Sequence, residues 1–281
     1  MLHLNTFPNK FRSLLLMLSF SLTLSSCSTI DESERYIYVP PVASTRAVLI
    51  EDFTGQRCIN CPNAALEIEK LKEQYGADTI IAVGIHSGPL AVYSRGNVLG
   101  LRTAEGDAYY DHWKIEQEPM GYINRRGEIA TLDHWATMVR EAIQVPTDIS
   151  MRIDSRYESA DNKLHIDLVI VVGEPFEGQL QLWVTENNIV AMQMMPDGSA
   201  NPSYVHNHVF RRSVNGTWGT QFTATQGQIQ ELSFDCDVDA SWQLDNLSIV
   251  GFLYNDKGVH QVVECPAELF LSETINDNKN K

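Results

Sequence analysis

The chain has 281 residues, with 36 acidic against 21 basic side chains and a net charge of −15. A chain this acidic has no electrostatic attraction for nucleic-acid phosphates, so nucleic-acid binding is excluded as a function, and the charge reads as a solvated surface. The length suits two domains, each able to bury a core, and no internal repeat is present.

The N-terminus reads as a targeting signal. Lys10 and Arg12 precede an apolar run from Leu14 to Leu24 that is too short to span a bilayer. Leu24-Ser25-Ser26-Cys27 follows, with small residues ahead of a cysteine, as in a bacterial lipobox. We read residues 1–26 as a lipoprotein signal peptide and Cys27 as the lipidated first residue of the mature chain. The other reading is an ordinary signal peptide with a stray cysteine. Removing 1–26 leaves 19 basic against 36 acidic residues. Residues 27–45 are polar, contain Pro40-Pro41 and read as a lipidated tether. Ser28 after the cysteine does not suggest inner-membrane retention, so we expect the protein at the outer membrane, lipid-anchored on its periplasmic face or at the cell surface. Disulfides persist outside the inner membrane.

Residues 46–146 order as strand, helix, strand, helix, hairpin, helix. Val48-Leu49-Ile50 reads as a buried strand, and Ala64, Ile68, Leu71 and Tyr75 fall at helical spacing. Cys58-Ile59-Asn60-Cys61-Pro62 therefore sits where a strand ends and a helix begins. Unpaired N–H groups and the helix dipole stabilise an anion there, which favours a thiolate at Cys58. Two cysteines this close can form a disulfide and reopen by exchange. Ile80 to Ile85 reads as a parallel strand covered on both faces. Residues 87–102 read as a loop, Thr103 to Trp113 as a helix, and Leu132, Trp135, Ala136, Val139 and Ile143 as a last amphipathic helix.

Residues 147–275 alternate apolar and polar at Ile149, Met151 and Ile153, at Leu164 to Ile170 and at Leu180 to Val184. Further runs lie around Val209, Ile229, Ile249-Val250 and Val262-Val263, as in a β-sandwich. Residues 276–281 read as a disordered tail. With Cys27 lipidated and Cys58 paired to Cys61, Cys236 and Cys265 remain, and we expect a structural disulfide between them. Several other sets are weaker. His206 and His208 with Met192, Met194 and Met195 offer copper-type donors, but a strand face that simply packs accounts for the histidines. Asp235, Asp237 and Asp239 lack the glycine and glutamate of a calcium loop. His86, His112 and His134 each stand without a motif. We expect no metal and no cofactor.

The cysteine stretch resembles the active-site turn of the thioredoxin superfamily. Asp52 stands six residues before Cys58, where the family carries a buried acid that moves protons for the dithiol. Glu118-Pro119-Met120-Gly121-Tyr122-Ile123 resembles the loop whose cis-proline faces the dithiol. The resemblance implies that Cys58 is the nucleophile, Cys61 resolves, Asp52 shuttles protons and Pro119 shapes the substrate groove. The sequence departs from the family at Arg57, at Ile59-Asn60, at Pro62 and at Glu118. Arg57 should lower the Cys58 pKa and Glu118 should raise it. Over nearly the whole mature chain, Leu49 to Gly55 leading into Cys58-x-x-Cys61-Pro62, with His206-Asn207-His208-Val209-Phe210-Arg211 and Asn215 to Gly219, resembles the Omp-twenty-eight-related outer-membrane lipoprotein family of Bacteroidota. That resemblance implies an α/β thioredoxin-like domain over 46–146, followed by an all-β immunoglobulin-like sandwich over 147–275. The expected function is thiol–disulfide exchange on envelope proteins with cysteines. The alternative is a non-enzymatic surface lipoprotein of binding or adhesin type with a structural Cys58–Cys61 disulfide.

Overall fold

Residues 46–269 are described by a computed structural model. The signal peptide, Cys27, the tether and the tail lie outside the described residues. The elements run β1 (Val48–Thr54), α1 (Cys61–Tyr75), β2 (Ile80–His86), α2 (Ala104–His112), β3 (Met120–Ile123), β4 (Ala130–Thr131) and α3 (Leu132–Ile143). Strands follow with no further α-helix among the described residues: β5 (Ile149–Glu158), β6 (Lys163–Val172), β7 (Phe176–Glu186), β8 (Ile189–Met194), β9 (Ala200–His206) and β10 (Val209–Ser213). The last are β11 (Thr220–Ala224), β12 (Ile229–Asp237), β13 (Leu247–Asn255), β14 (Gly258–Pro266) and β15 (Glu268–Leu269). The protein is mostly β.

Three sheets form. The largest has nine strands in the order β14-β13-β7-β10-β2-β1-β3-β4, with β11 also on β7. β1 and β2 are parallel, Val48 opposite Ile80 through Thr54 opposite His86, while β3 is antiparallel to β1. Strands from both halves of the chain thus share one sheet. They join at the parallel pair Val209–Gly84, where the Gly84 N–H donates to the His208 carbonyl at 2.8 Å. The second sheet runs β12-β6-β5-β15, and the third is the β8–β9 hairpin.

Burial follows the sequence period. β1 and β2 are buried at every position because both faces of the large sheet are covered there. On one face Val48, Ile50, Ile80 and Ala82 pack with Ala64, Ile68 and Leu71 of α1 and Trp135 and Val139 of α3. Pro62 at the start of α1 loses no helical hydrogen bond, since the first N–H groups have no partner in any case. The opposite face gathers Leu49, Phe53, Val83 and Ile85 with Tyr109 of α2 and Trp183, Phe210 and Phe252. The second sheet closes a separate core. Ile153, Leu164, Leu168 and Cys236 meet Leu180, Leu182, Phe222 and Ile249 of the large sheet, the arrangement that alternating strands require.

The middle of the molecule is fixed by a buried ion pair. Arg125 Nη2 and Nε donate to the two Glu51 carboxylate oxygens at 2.8 and 2.9 Å, with both side chains out of solvent. Around the guanidinium stand Tyr254, Phe252, Trp113 and Trp183, with ring centres at 4.4, 5.0, 5.5 and 5.5 Å. Its neighbour Asn124 accepts from the Leu49 N–H and donates its own N–H to the Leu49 carbonyl; its carbonyl accepts from Val259.

Removing one partner of a buried pair leaves the other charged and unsatisfied. Glu51→Ala should therefore cost about 3–5 kcal/mol in urea unfolding. Replacing both residues by Leu and Met should cost less than the sum of the single changes.

Candidate functional site

β1 ends in the loop 55–60 that carries the first cysteine, and α1 begins on the second. Cys58 and Cys61 are bonded as a disulfide at this helix start. The Cys61 N–H donates to Cys58 Sγ at 3.0 Å, and the Cys58 N–H donates to the Gly55 carbonyl at 3.0 Å. The cysteines are only 2% and 4% exposed, while Ile59 between them is 45% exposed.

Two carboxyl groups stand by the disulfide. Asp52, on β1, is buried, and its Oδ1 has no hydrogen-bond partner; burial pushes its pKa up to about 8. Glu118 precedes Pro119 across a cis peptide bond. Its pKa is pushed up to about 8 as well, first by burial and then by the charge of Asp52. Neither Glu118 oxygen has a hydrogen-bond partner. A carboxylate oxygen of Glu118 and the two sulfurs lie within 4.8 Å of one another. Gly55 makes the room: a Cβ there would stand 2.7 Å from Glu118 Oε2 and 2.5 Å from the Leu90 backbone. Burial thus favours the protonated form of both acids at neutral pH. Arg57 is exposed, and only its backbone N–H ties inward, to the Leu90 carbonyl at 2.9 Å. Of the two side chains expected to act on Cys58, Glu118 is the one against the sulfurs.

The second half of the chain completes the site. The β8–β9 hairpin packs on the cysteine loop. Gln193 Nε2 donates to the Cys58 carbonyl at 2.8 Å and to the Gly55 carbonyl at 3.3 Å. The Met194 N–H donates to the Gln56 carbonyl, and Gln56 Nε2 donates to the carbonyls of Leu99 and Met192. Beneath the hairpin, Asp52, Cys61, His86, Tyr204, His206 and His208 line a cavity of about 150 Å³. The rings of His86 and His206 meet edge to face at 5.3 Å. His86 Nδ1, His206 Nε2 and His208 Nδ1 have no hydrogen-bond partner. Burial lowers His206 to about 4 and His208 to about 3, and holds His86 well below its ordinary value, so all three are neutral. A groove of about 450 Å³ is lined by Asn60 of the cysteine loop and by Asn63, Glu118, Pro119, Leu132 and Asp133.

The remaining candidates fall elsewhere. Cys236 and Cys265 are free thiols, which corrects the expected bridge. Cys265 lies beside β5, in a pocket with Asp154, Ser155 and Arg156, whereas Cys236 is on β12 with β6 between. Two strand spacings are about 10 Å, beyond the roughly 7 Å that a disulfide spans between Cα atoms. Each thiol donates instead to the next carbonyl, Cys236 to Asp237 and Cys265 to Pro266. Asp235 pairs with His165, and Asp239 accepts from the Ser241 N–H, so these two acids are engaged locally. His134 is exposed and His112 packs on Trp218 at 4.3 Å. Gln193 was missed from the sequence. The sequence marks His86 and His206 without bringing them to the dithiol, because the strand pairing that does so is long-range.

The class defined by these features is a mostly-β protein whose large sheet carries a helix-terminal Cys-x-x-Cys disulfide. The family model described as outer membrane protein Omp28 matches residues 106–267. The chain belongs to that outer membrane protein family, and its place is the outer membrane. The match begins after the cysteine pair. Among solved structures, HBP35 of Porphyromonas gingivalis is 15% identical with a TM-score of 0.62, covering 84% of this chain and 81% of that one. That likeness is one of fold. A domain of the outer membrane lipoprotein Omp28 from Porphyromonas gingivalis is 20% identical, covering 43% of this chain and 97% of that one at a TM-score of 0.31. No curated protein matches. No helix among the described residues is long and apolar enough to cross a membrane.

A histidine buried neutral binds fewer protons than in the unfolded chain between its unfolded and folded pKa values, so stability falls as pH drops through that window. For His208 the window runs from 6.5 down to about 3. His208→Asn, which suits the positive φ of 45° at this turn, should remove that lability. Relative to the variant, the wild type should lose up to ~1.4 kcal/mol per pH unit on acidification below 6.5, read by urea unfolding at pH 7 and 5.

Proposed function

We propose that the chain is a thiol–disulfide oxidoreductase of thioredoxin-like fold, held at the outer membrane by lipid on Cys27 and acting on envelope proteins with cysteines. The observation that carries this reading is a disulfide at a helix N-terminus with two protonated carboxyl groups beside it. The strand order β4-β3-β1-β2, with helices after β1, β2 and β4, supports the thioredoxin-like assignment of residues 46–146. The facing sheets of residues 147–269 favour a sandwich of immunoglobulin type, which serves as a spacer and docking module.

The chemistry follows from the placement. A substrate thiolate approaches along the Pro119 groove and attacks Cys58 Sγ. The Cys58–Cys61 bond breaks, a mixed disulfide forms, and the electron pair leaves on Cys61. Asp52, lining the same cavity as Cys61, supplies the proton that this thiolate takes up. A second substrate thiolate then attacks the substrate sulfur of the mixed disulfide, releasing the substrate as a disulfide and the protein as a dithiol. In the reverse direction the dithiol reduces a substrate disulfide. An electron partner of the envelope must restore the starting state. Burial of both cysteines makes thiolates costly here, which favours the disulfide and makes the dithiol a good reductant.

A second reading draws on the near-complete burial of both cysteines and the hairpin over their loop. On it, Cys58–Cys61 is a structural bond in a non-enzymatic surface lipoprotein.

Turnover separates the two. With dithiothreitol as electron source, the wild type should speed reduction of a disulfide-bonded reporter protein by at least roughly ten-fold, and Cys58→Ser should abolish the gain. Cys61→Ser should accumulate a mixed disulfide between Cys58 and the reporter on a non-reducing gel. Neither effect is expected of a structural bond.

A further inference from the structure

We propose that the reduced Cys58 and Cys61 together with Glu118 form a binding site for a divalent cation of the zinc class. The inference rests on the reading that this disulfide opens.

Three observations carry it. First, the ligand atoms of these side chains converge within 4.8 Å, and among the described residues no other group of three His, Cys, Asp or Glu side chains does so. The donors come from the start of α1 and from the loop before β3, so the site is made by the fold. Second, both Glu118 oxygens are shielded from water and accept no hydrogen bond. Buried polar atoms in native proteins are nearly always satisfied, and a bound cation would satisfy this carboxylate. Gly55 leaves the pocket that the carboxylate occupies. Third, the donor set selects the metal. Zinc takes thiolates at about 2.3 Å and carboxylate oxygens at about 2.0–2.2 Å in a tetrahedron, so donors about 3.5–4 Å apart suffice. Two sulfurs exclude calcium and magnesium, and the hard oxygen favours zinc over copper(I). Three protein donors leave a fourth position of the zinc tetrahedron for a water molecule or a substrate thiol.

The disulfide has no thiolate, so the site exists only after reduction. An external reductant breaks the S–S bond, giving up two electrons and leaving in its oxidised form. The cation then displaces the protons of both thiols and of the Glu118 carboxyl, which pass to solvent. Because the metal binds the dithiol only, it shifts the couple toward the reduced form. Each ten-fold change in that balance raises the potential by 29.6 mV for two electrons. Metal supply would thereby set how readily the pair reoxidises.

The test uses the full chain with Cys27, Cys236 and Cys265 replaced by alanine, so that the pair holds the remaining thiols. The protein is reduced with a phosphine, desalted without oxygen, and its thiols are counted with a chelator present. Cobalt(II) is then added as the optical probe, and zinc is titrated against a chromophoric chelator. The reduced chain should bind one ion with sulfur-to-cobalt charge-transfer absorption and tetrahedral d–d bands, and the oxidised chain none. Glu118→Gln and Glu118→Ala should each weaken zinc binding by at least roughly ten-fold while keeping the charge-transfer band. Their circular dichroism should match that of the parent. Two titratable thiols without metal binding, or full affinity in both Glu118 variants, overturns the metal site and leaves the exchange reading intact. A folded chain whose pair yields no thiols to the phosphine overturns both.

Discussion

A guanidinium enclosed by four aromatic rings holds the two halves of this protein together. Arg125 comes from the turn after β3, its carboxylate partner Glu51 from β1, and the rings from Trp113 just after α2 and from β7 and β13. A charge so far from water persists because Glu51 meets it with two hydrogen bonds and the ring faces meet the rest. The cost of breaking the pair holds the Asn124–Arg125 turn against both β1 and β14. That turn keeps β1 in register with β3, and therefore fixes where Asp52 stands relative to the loop of Glu118 and Pro119.

The chemistry of the site depends on this shared sheet. The first half supplies the disulfide, Asp52 and Glu118. The second half supplies the cover, through Gln193 on the Cys58 carbonyl and through Tyr204, His206 and His208 around Asp52 and Cys61. Low exposure of all these groups raises both acids and neutralises the three imidazoles. The result is a buried, uncharged setting for the Cys58–Cys61 bond.

Much of this was legible in the sequence because it is local. The run Val48-Leu49-Ile50 and the helical spacing of Ala64, Ile68 and Leu71 place the cysteines at a strand-to-helix junction, and the structure has them there. Alternation marked β5, β6 and β7 within a few residues. What stayed hidden was non-local. Glu51 and Arg125 look like surface charges until the fold brings together two positions 74 residues apart. The β8–β9 hairpin carries Pro202 and several polar residues, and its short strands give no clear period. The one-residue joint at Val209–Gly84 leaves no pattern at all. Counting cysteines paired Cys236 with Cys265, but a count contains no distances, and β6 keeps the two apart.

The central claim is that Cys58–Cys61 is an exchanging bond, and its reduction potential tests that most directly. The full chain with Cys27, Cys236 and Cys265 replaced by alanine would be equilibrated in glutathione and dithiothreitol buffers containing a chelator. A reversible transition between roughly −120 and −270 mV, the span of known exchange proteins, is the predicted result. A pair still oxidised below about −300 mV would behave as a structural bond and contradict the account.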